Sequence, residues 1–357
     1  MTVTPFLRSP PFPGISPALA AISTPLVDGE SPSPVSDSLL DALIESQVGG
    51  AFWGHRPAAV CVVVRQGIPV APDILAGRAR QEVGIMPRGD GKGRSIAHID
   101  DRVLPDPCDP WALVAGAASV HAAVDDDLAI VAGLLGVPVF GPDLLPIAPD
   151  LLRSAAVTRI ATARYRDCFS GETVDAEAAV AQLADWRRHI DGNRGIAAAS
   201  GMAFWKREAI RHFLWDGLRS PPFLSAERGL RRARQEGGAL AVWPSRVPPS
   251  TARDAASVNV PLARVEDGFL RSRGLGAALH PPGSVVVDRS GIYYNARAAN
   301  DLESLLASHP FPPHLVERAQ RLRRRICATG VTKYGAGVGE MIGLPPGRRT
   351  VLAVGQV

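Results

Sequence analysis

Residues 239–272 read ALAVWPSRVPPSTARDAASVNVPLARVEDGFLRS, and this stretch decides the fold. Ala239 to Trp243 is a short apolar run closed by Pro244, the pattern of a buried strand. Pro249 to Ser257 suits a short helix with proline in its first turn. Pro261 to Val265 is the next strand. A strand, a helix and a strand at this spacing form a short right-handed βαβ crossover, so the two strands are expected to be parallel.

Ligands of open parallel sheets bind at the carboxyl ends of the strands. Two loops then share one edge: Pro244-Ser245-Arg246 after the first strand, and Glu266-Asp267-Gly268-Phe269-Leu270-Arg271-Ser272 after the second. That edge carries Arg246, Glu266, Asp267, Arg271, Ser272 and Arg273. An arginine fork grips a carboxylate or phosphate through two parallel hydrogen bonds. A carboxylate serves as general acid or base, or stabilises an oxocarbenium-like centre. Together they suit chemistry on an anionic sugar. A structural ion pair at a turn is the alternative, since Glu-Asp-Gly is also ordinary turn composition.

Outward from this unit the same punctuation continues. Ala58 to Arg65 is a β-branched run ended by Gly67. Trp111 to Ser119 and Leu128 to Leu135 are helical in character, and Val137 to Phe140 is a short strand. Ala176 to Ile190 is an amphipathic helix with Ala179, Leu183 and Trp186 on one face. Gly201 to Trp215 reads as another. Ser284 to Asp288 and Ile292 to Tyr294 read as a hairpin. Asn300 followed by Glu303 resembles a capping box opening a helix. Leu315 to Thr329 is a basic amphipathic helix, and Thr350 to Val354 a final strand. The fold class is α/β.

The chain has 357 residues, 46% hydrophobic and 21% charged, which excludes dominant disorder. It allows two or three domains. Formal net charge is +4, and of 39 basic residues only Lys92, Lys206 and Lys333 are lysines. An arginine excess spread along the chain reflects a composition bias of the gene more simply than a nucleic-acid footprint, and aromatic content is low. Cys61, Cys108, Cys168 and Cys327 are far apart, without metal spacing, and suit a reducing compartment. No secretory signal stands in the Pro- and Ser-rich residues 1–36, which read as a flexible leader. The longest apolar run, Leu128 to Phe140, is too short to span a bilayer. A cytoplasmic location is expected.

Other features are weaker. Gly335-x-Gly337-x-Gly339 follows a helix rather than a strand and suits a loop better than a phosphate cradle. Arg318, Arg321, Arg323, Arg324 and Arg325 make a basic helix face, either simply solvated or in peripheral contact with anionic lipid. Tyr293 and Tyr294 alternate, so one suits the core and the other a sugar. His121 and His280 have no partner spacing. No metal site and no Ser/His/Asp arrangement stands out.

The second unit resembles the capsular polysaccharide synthesis and export family of Gram-negative bacteria, whose best-understood members are KpsC-like retaining β-Kdo glycosyltransferases. The resemblance covers roughly residues 239–357. It is carried by Val265-Glu266-Asp267-Gly268-Phe269-Leu270-Arg271-Ser272 with Gly274-Leu275-Gly276, by Val287-Asp288-Arg289-Ser290-Gly291-Ile292-Tyr293-Tyr294, by Thr332-Lys333-Tyr334, and by Val351 to Val357. Asn295 and Gly335 depart from the usual Asp and Asn. The resemblance implies Rossmann-like units of a GT-B-type glycosyltransferase, with CMP-Kdo as donor, a lipid-linked Kdo acceptor and no cofactor. It implies Glu266 and Asp267 as catalytic carboxylates, Glu266 being the acid/base group. Arg246, Arg271, Ser272, Tyr293, Lys333, Tyr334 and Gln356 would then bind substrate.

In that family Gly-Gln-Val is followed by acidic residues, one of them the catalytic aspartate. The second module is therefore expected to be incomplete, and the chain inactive alone. The front half resembles the family through Ser119-Val120-His121, Leu134 to Gly141 and Tyr165-Arg166-Asp167 through Gly171-Glu172. There Val124-Asp125-Asp126-Asp127 replaces a nucleotide-holding stretch, Val131 stands near a usual Glu, and three like charges would repel a phosphate. Trp53-Gly54-His55-Arg56-Pro57 echoes a segment near the start of a module. The expected organisation is a leader (1–36), a degenerate first module (37–185), a helical connector (186–235), an acceptor-side half (236–349) and the first strand of a nucleotide-binding half (350–357). A non-catalytic scaffold docking capsule synthesis to its export machinery at the inner membrane is the alternative function.

Overall fold

The computed structural model describes residues 4–16, 21–27, 29–76, 82–87, 103–272, 279–311 and 313–336, with positions 347, 349 and 351. The chain divides into two compact units. One holds residues 1–197 and 211–222, the other 198–210 and 223–357. Both are mixed α/β.

The expectation of a flexible leader is corrected in the first unit. Phe6, Leu7 and Ile22 are fully buried in its core. Strand β1 (Ser23–Pro25) pairs antiparallel with residues 163–165, and the Phe12 ring lies 5.0 Å from Trp186. The Pro- and Ser-rich composition signals coil, but the four apolar anchors spaced through it tie that coil down.

Strands β2 (Val62–Arg65), β3 (Val83–Met86), β4 (Ser119–His121) and β5 (Val139–Phe140) form a parallel sheet in the order β3-β2-β4-β5. β6 (Ala163–Arg166) and β7 (Thr173–Val174) complete a three-stranded antiparallel sheet with β1. Val63 and Val120 join the main core, while Val62 and Val64 pack with Ile68 and Val83 in a smaller cluster. This is the alternation a two-sided parallel sheet requires.

Two charged motifs of this unit turn out to hold the fold. Asp126 caps the helix Asp127–Leu135 through Leu128 N–H. It also takes the Arg65 fork at 2.7 and 2.6 Å. Asp127 pairs with Arg8 at 2.8 Å and Arg159 at 3.0 Å. The expected trio of bare like charges is thus corrected, because two of the three aspartates are neutralised within the unit. The Trp53–Pro57 string is likewise internal. Arg56 bridges Asp109 at 3.2 Å and Asp191 at 2.6 Å, and Arg187 meets the fully buried Asp109 at 2.7 Å.

A further sheet, whose strands fall in the second unit apart from the first two residues of β8, has the order β11-β10-β9-β8, with β8 at Ile196–Ser200, β9 at Ala239–Val242, β10 at Leu262–Asp267 and β11 at Val285–Asp288. β9 and β10 are parallel, with Ala241 opposite Ala263, and the helix Thr251–Ser257 lies between them in sequence. The short βαβ unit is present as expected.

β8 was not expected. IAAAS lacks the β-branched run that marks a strand, yet all five residues are buried. The stretch 186–235, expected to be a helical connector, contains this strand and is shared between the units.

The expected hairpin is corrected too. β11 pairs antiparallel with β10, Val287 opposite Val265, and residues 292–294 form no strand. The buried Asp288 carboxylate accepts from Ser290 N–H at 3.0 Å and Gly291 N–H at 2.7 Å, which folds the turn back on the end of β11. A Cβ on Gly291 would collide with the Ala299 carbonyl oxygen. Strands β12 (Val331–Thr332) and β13 (Gly335–Ala336) pair antiparallel. The helix Asp301–Ser308 is capped by Asn300, which accepts from Glu303 N–H at 3.0 Å. The expected strand at 350–354 lies, apart from Val351, outside the described residues.

Candidate active site

The carboxyl ends of three strands in the second unit meet around one carboxylate. Asp267 is the last residue of β10, Trp243 follows β9, and Lys206 follows β8 in the 3-10 turn Phe204–Lys206. The Lys206 ammonium donates to both Asp267 oxygens at 3.0 Å. Its nitrogen lies 3.6 Å from the Trp243 ring centroid and 5.1 Å from that of Trp205. Cations on aromatic faces gain most where water is excluded, and Lys206 is buried.

Arg271 completes the cluster. Its Nε donates to Asp267 Oδ2 at 2.9 Å, its Nη1 to Ser272 Oγ at 2.6 Å and its Nη2 to the His280 carbonyl at 2.9 Å. It is only 1% exposed. The fork expected to face a sugar therefore braces the turn from within. Backbone contacts bind the same loop on its other side. Arg271 N–H and Ser272 N–H both donate to the Lys333 carbonyl, at 2.8 and 3.3 Å. Tyr293 donates its phenol proton to the Asp267 carbonyl at 3.2 Å.

Glu266 stands at the front of this cluster, half-buried. Its Oε1 accepts from Asp267 N–H at 3.0 Å. Burial pushes its carboxyl above the ordinary 4.5, and the Asp267 charge adds to this. Its hydrogen bond, Lys206 and Lys333 oppose the rise. Burial pushes the Lys206 ammonium down from 10.5, against the pull of Asp267. Burial and the neighbouring Glu266 push the exposed Tyr294 phenol up. A carboxyl whose charged form is disfavoured in this way can take up or release a proton near neutral pH more readily than an exposed one.

The remaining expected residues divide. Tyr293 packs between Phe269 at 4.9 Å and Tyr294 at 5.4 Å, so three rings form a row whose two outer members are exposed. Lys333 is half-buried, 5.8 Å from the exposed Tyr334 ring. Arg246 is exposed in the turn after β9 and makes no ion pair among the described residues. Gln356, Arg273, Gly274 to Gly276, Gly337 and Gly339 lie outside the described residues. Arg318, Arg321, Arg323, Arg324 and Arg325 are exposed on the helix Pro313–Thr329.

Lys206, Trp205 and Trp243 were not expected here. Asp267 lies 61 residues from Lys206, and the link runs through a strand that alanine composition hides. The usable signal was the scarcity of lysine.

A sequence profile described as capsule polysaccharide biosynthesis protein matches residues 238–335. The capsule polysaccharide modification protein LipA of Neisseria meningitidis is 29% identical over 208 residues, 58% of this chain and 30% of that protein. The lipopolysaccharide-processing protein LpsZ of Rhizobium meliloti is 45% identical over 107 residues, 29% of this chain and 24% of that protein. The chain thus spans under a third of the length of the curated relatives it matches. Among solved structures, Thermosulfurimonas dismutans KpsC, a beta Kdo 2,4 transferase, matches at 28% identity over 44% of this chain and 48% of that one, with a TM-score of 0.33. Glu266, Asp267, Arg271, Tyr293 and Lys333 all fall inside the profile match, and through residues 238–335 the chain is similar to capsule polysaccharide biosynthesis proteins.

Proposed function

We propose that the second unit serves the retaining transfer of Kdo from CMP-Kdo to a lipid-linked Kdo acceptor, building the linker that carries a capsular polysaccharide. In this reading the protein works in the cytoplasm, in peripheral contact with the inner membrane and next to the export machinery. The observation that carries it is Glu266, a carboxyl raised by burial at the carboxyl edge of a partly parallel sheet, with Lys206 and Lys333 acting on its charge. Glu266 takes the proton of the attacking acceptor hydroxyl or returns one to a leaving group.

Double displacement with retention also needs a nucleophilic carboxylate. Asp267 is not free for that role, because Lys206 holds both of its oxygens and Arg271 shares one of them. It serves by fixing the turn behind Glu266. Lys333, Tyr334 and Tyr293 offer charge and ring faces to an anionic sugar, and Arg246 and Ser272 line the same loops.

The test is incubation of this chain, alone and within a longer protein that supplies the second carboxylate, with CMP-Kdo and a Kdo-primed glycolipid, with the product's anomeric configuration read by NMR. CMP release with a new β-linked Kdo supports the proposal. An α-linked product overturns the retaining mechanism. Intact CMP-Kdo with co-purifying export proteins favours the scaffold reading instead.

A further inference from the structure

Arginine is the rule in this chain: three of its 39 basic side chains are lysines. Lys206 and Lys333 are the two in described regions, and both act on the charge of Glu266. The next residue after Lys206 is an arginine, with Nε donating to the Met202 carbonyl at 3.3 Å. An arginine-favouring composition has left an ammonium at 206, and the geometry explains why. The nitrogen sits over Trp243 at 3.6 Å and reaches both Asp267 oxygens at 3.0 Å. Oδ2 is already shared with the Arg271 guanidinium. A compact ammonium donates in three directions from one point, whereas a planar guanidinium needs a wide, flat slot.

We infer that Lys206 is the positioning residue of this site: its ammonium, seated on Trp243 and shared between the two Asp267 oxygens, fixes the turn that carries Arg271 and supplies the cationic side of Glu266, a role that arginine does not fill. The inference rests on Glu266 as the proton-transfer group. Among the described residues, the charged and titratable groups acting on Glu266 are Asp267 beside it, Lys206 after β8 and Lys333 after β12, and Glu266 in turn acts on Tyr294 in the turn after β11.

The test is the NMR titration of the Glu266 carboxyl, with carbon-13 label in glutamate, in the wild-type chain and in Lys206→Met and Lys206→Arg. Glu266→Gln assigns the resonance. Lys206→Met is expected to raise the midpoint by about one pH unit. Lys206→Arg is expected to keep the charge yet fail to restore the wild-type midpoint. It is also the deciding variant if Lys206→Met does not fold. A midpoint unmoved in Lys206→Met, with only the melting temperature lowered, would reduce Lys206 to a structural ion pair and overturn the inference. Full restoration by Lys206→Arg would overturn the requirement for an ammonium. The titration uses no substrate, so its outcome is independent of whether CMP-Kdo is the donor.

Discussion

Lys206 lies 3.0 Å from both carboxylate oxygens of Asp267, while the adjacent Glu266 accepts, among the described residues, a main-chain N–H alone. Two consecutive carboxylates thus have opposite electrostatic fates. One is held between buried cations, and the other is half-buried with its charged form disfavoured by burial.

Substitution separates the pair. Asp267→Asn removes the anion between Lys206 and Arg271, leaving two buried cations poorly compensated. Breaking such a site costs about 3–5 kcal/mol, read as a lower urea midpoint. Glu266→Gln does the reverse. The folded-state carboxyl of Glu266 is raised above its unfolded value, so the native chain binds more protons and loses stability as pH climbs from about 4.5 through the folded value. Glu266→Gln removes that loss, so its melting temperature at pH 7 equals or exceeds wild type.

The first unit has its own buried ion network. Asp109 is fully buried, caps the helix Pro110–Val114, and receives Arg187 at 2.7 Å. Arg187→Met leaves the aspartate with Arg56 alone and is expected to cost about 3–5 kcal/mol. The double variant Arg187→Met/Asp109→Leu recovers part of that loss, since an orphaned charge is worse than none. Chemical denaturation of the set checks both statements.

His121 predicts an acid limb. It is fully buried, stacks on Phe140 at 5.1 Å, and neither ring nitrogen has a hydrogen-bond partner among the described residues. Burial pushes its pKa below the ordinary 6.5. The unfolded chain therefore takes up a proton that the folded chain refuses, and stability falls as pH drops below about 6.5. His121→Phe keeps a ring against Phe140 and should flatten this limb between pH 7 and 5, as followed by urea midpoints.

The amino-terminal segment is part of the fold. Phe6→Ala is expected to destabilise the chain by about 3–5 kcal/mol, the range for emptying a buried aromatic site. An unchanged melting temperature would restore the reading of residues 1–36 as a loose leader.

Much of the architecture was legible where local chemistry decides it. The βαβ unit around Pro249 to Ser257 shows because its strands are apolar runs bounded by proline. The Asn300 cap and the helix from Ala176 show because capping and 3.6-residue periodicity are local signals. β8 stayed hidden because IAAAS is as good a helix as a strand, and its burial is decided by β9 beside it. The hairpin was misread because β11 finds its antiparallel partner in β10, earlier in the sequence, and not in residues 292–294. In the site, Glu266, Asp267 and Arg271 were legible as types, but their division of labour was not. A sequence shows two carboxylates side by side; only the fold brings Lys206 to one of them.

The most direct measurement is the rate of Kdo transfer from CMP-Kdo to a Kdo-primed glycolipid, in a longer protein that supplies the second carboxylate, with wild-type Glu266 and with Glu266→Gln, at matched folding. A proton-transfer role predicts a fall of about 10²–10⁴-fold with the melting temperature unchanged or higher. Transfer by Glu266→Gln within about threefold of wild type, well under the loss a proton-transfer group produces, would contradict it.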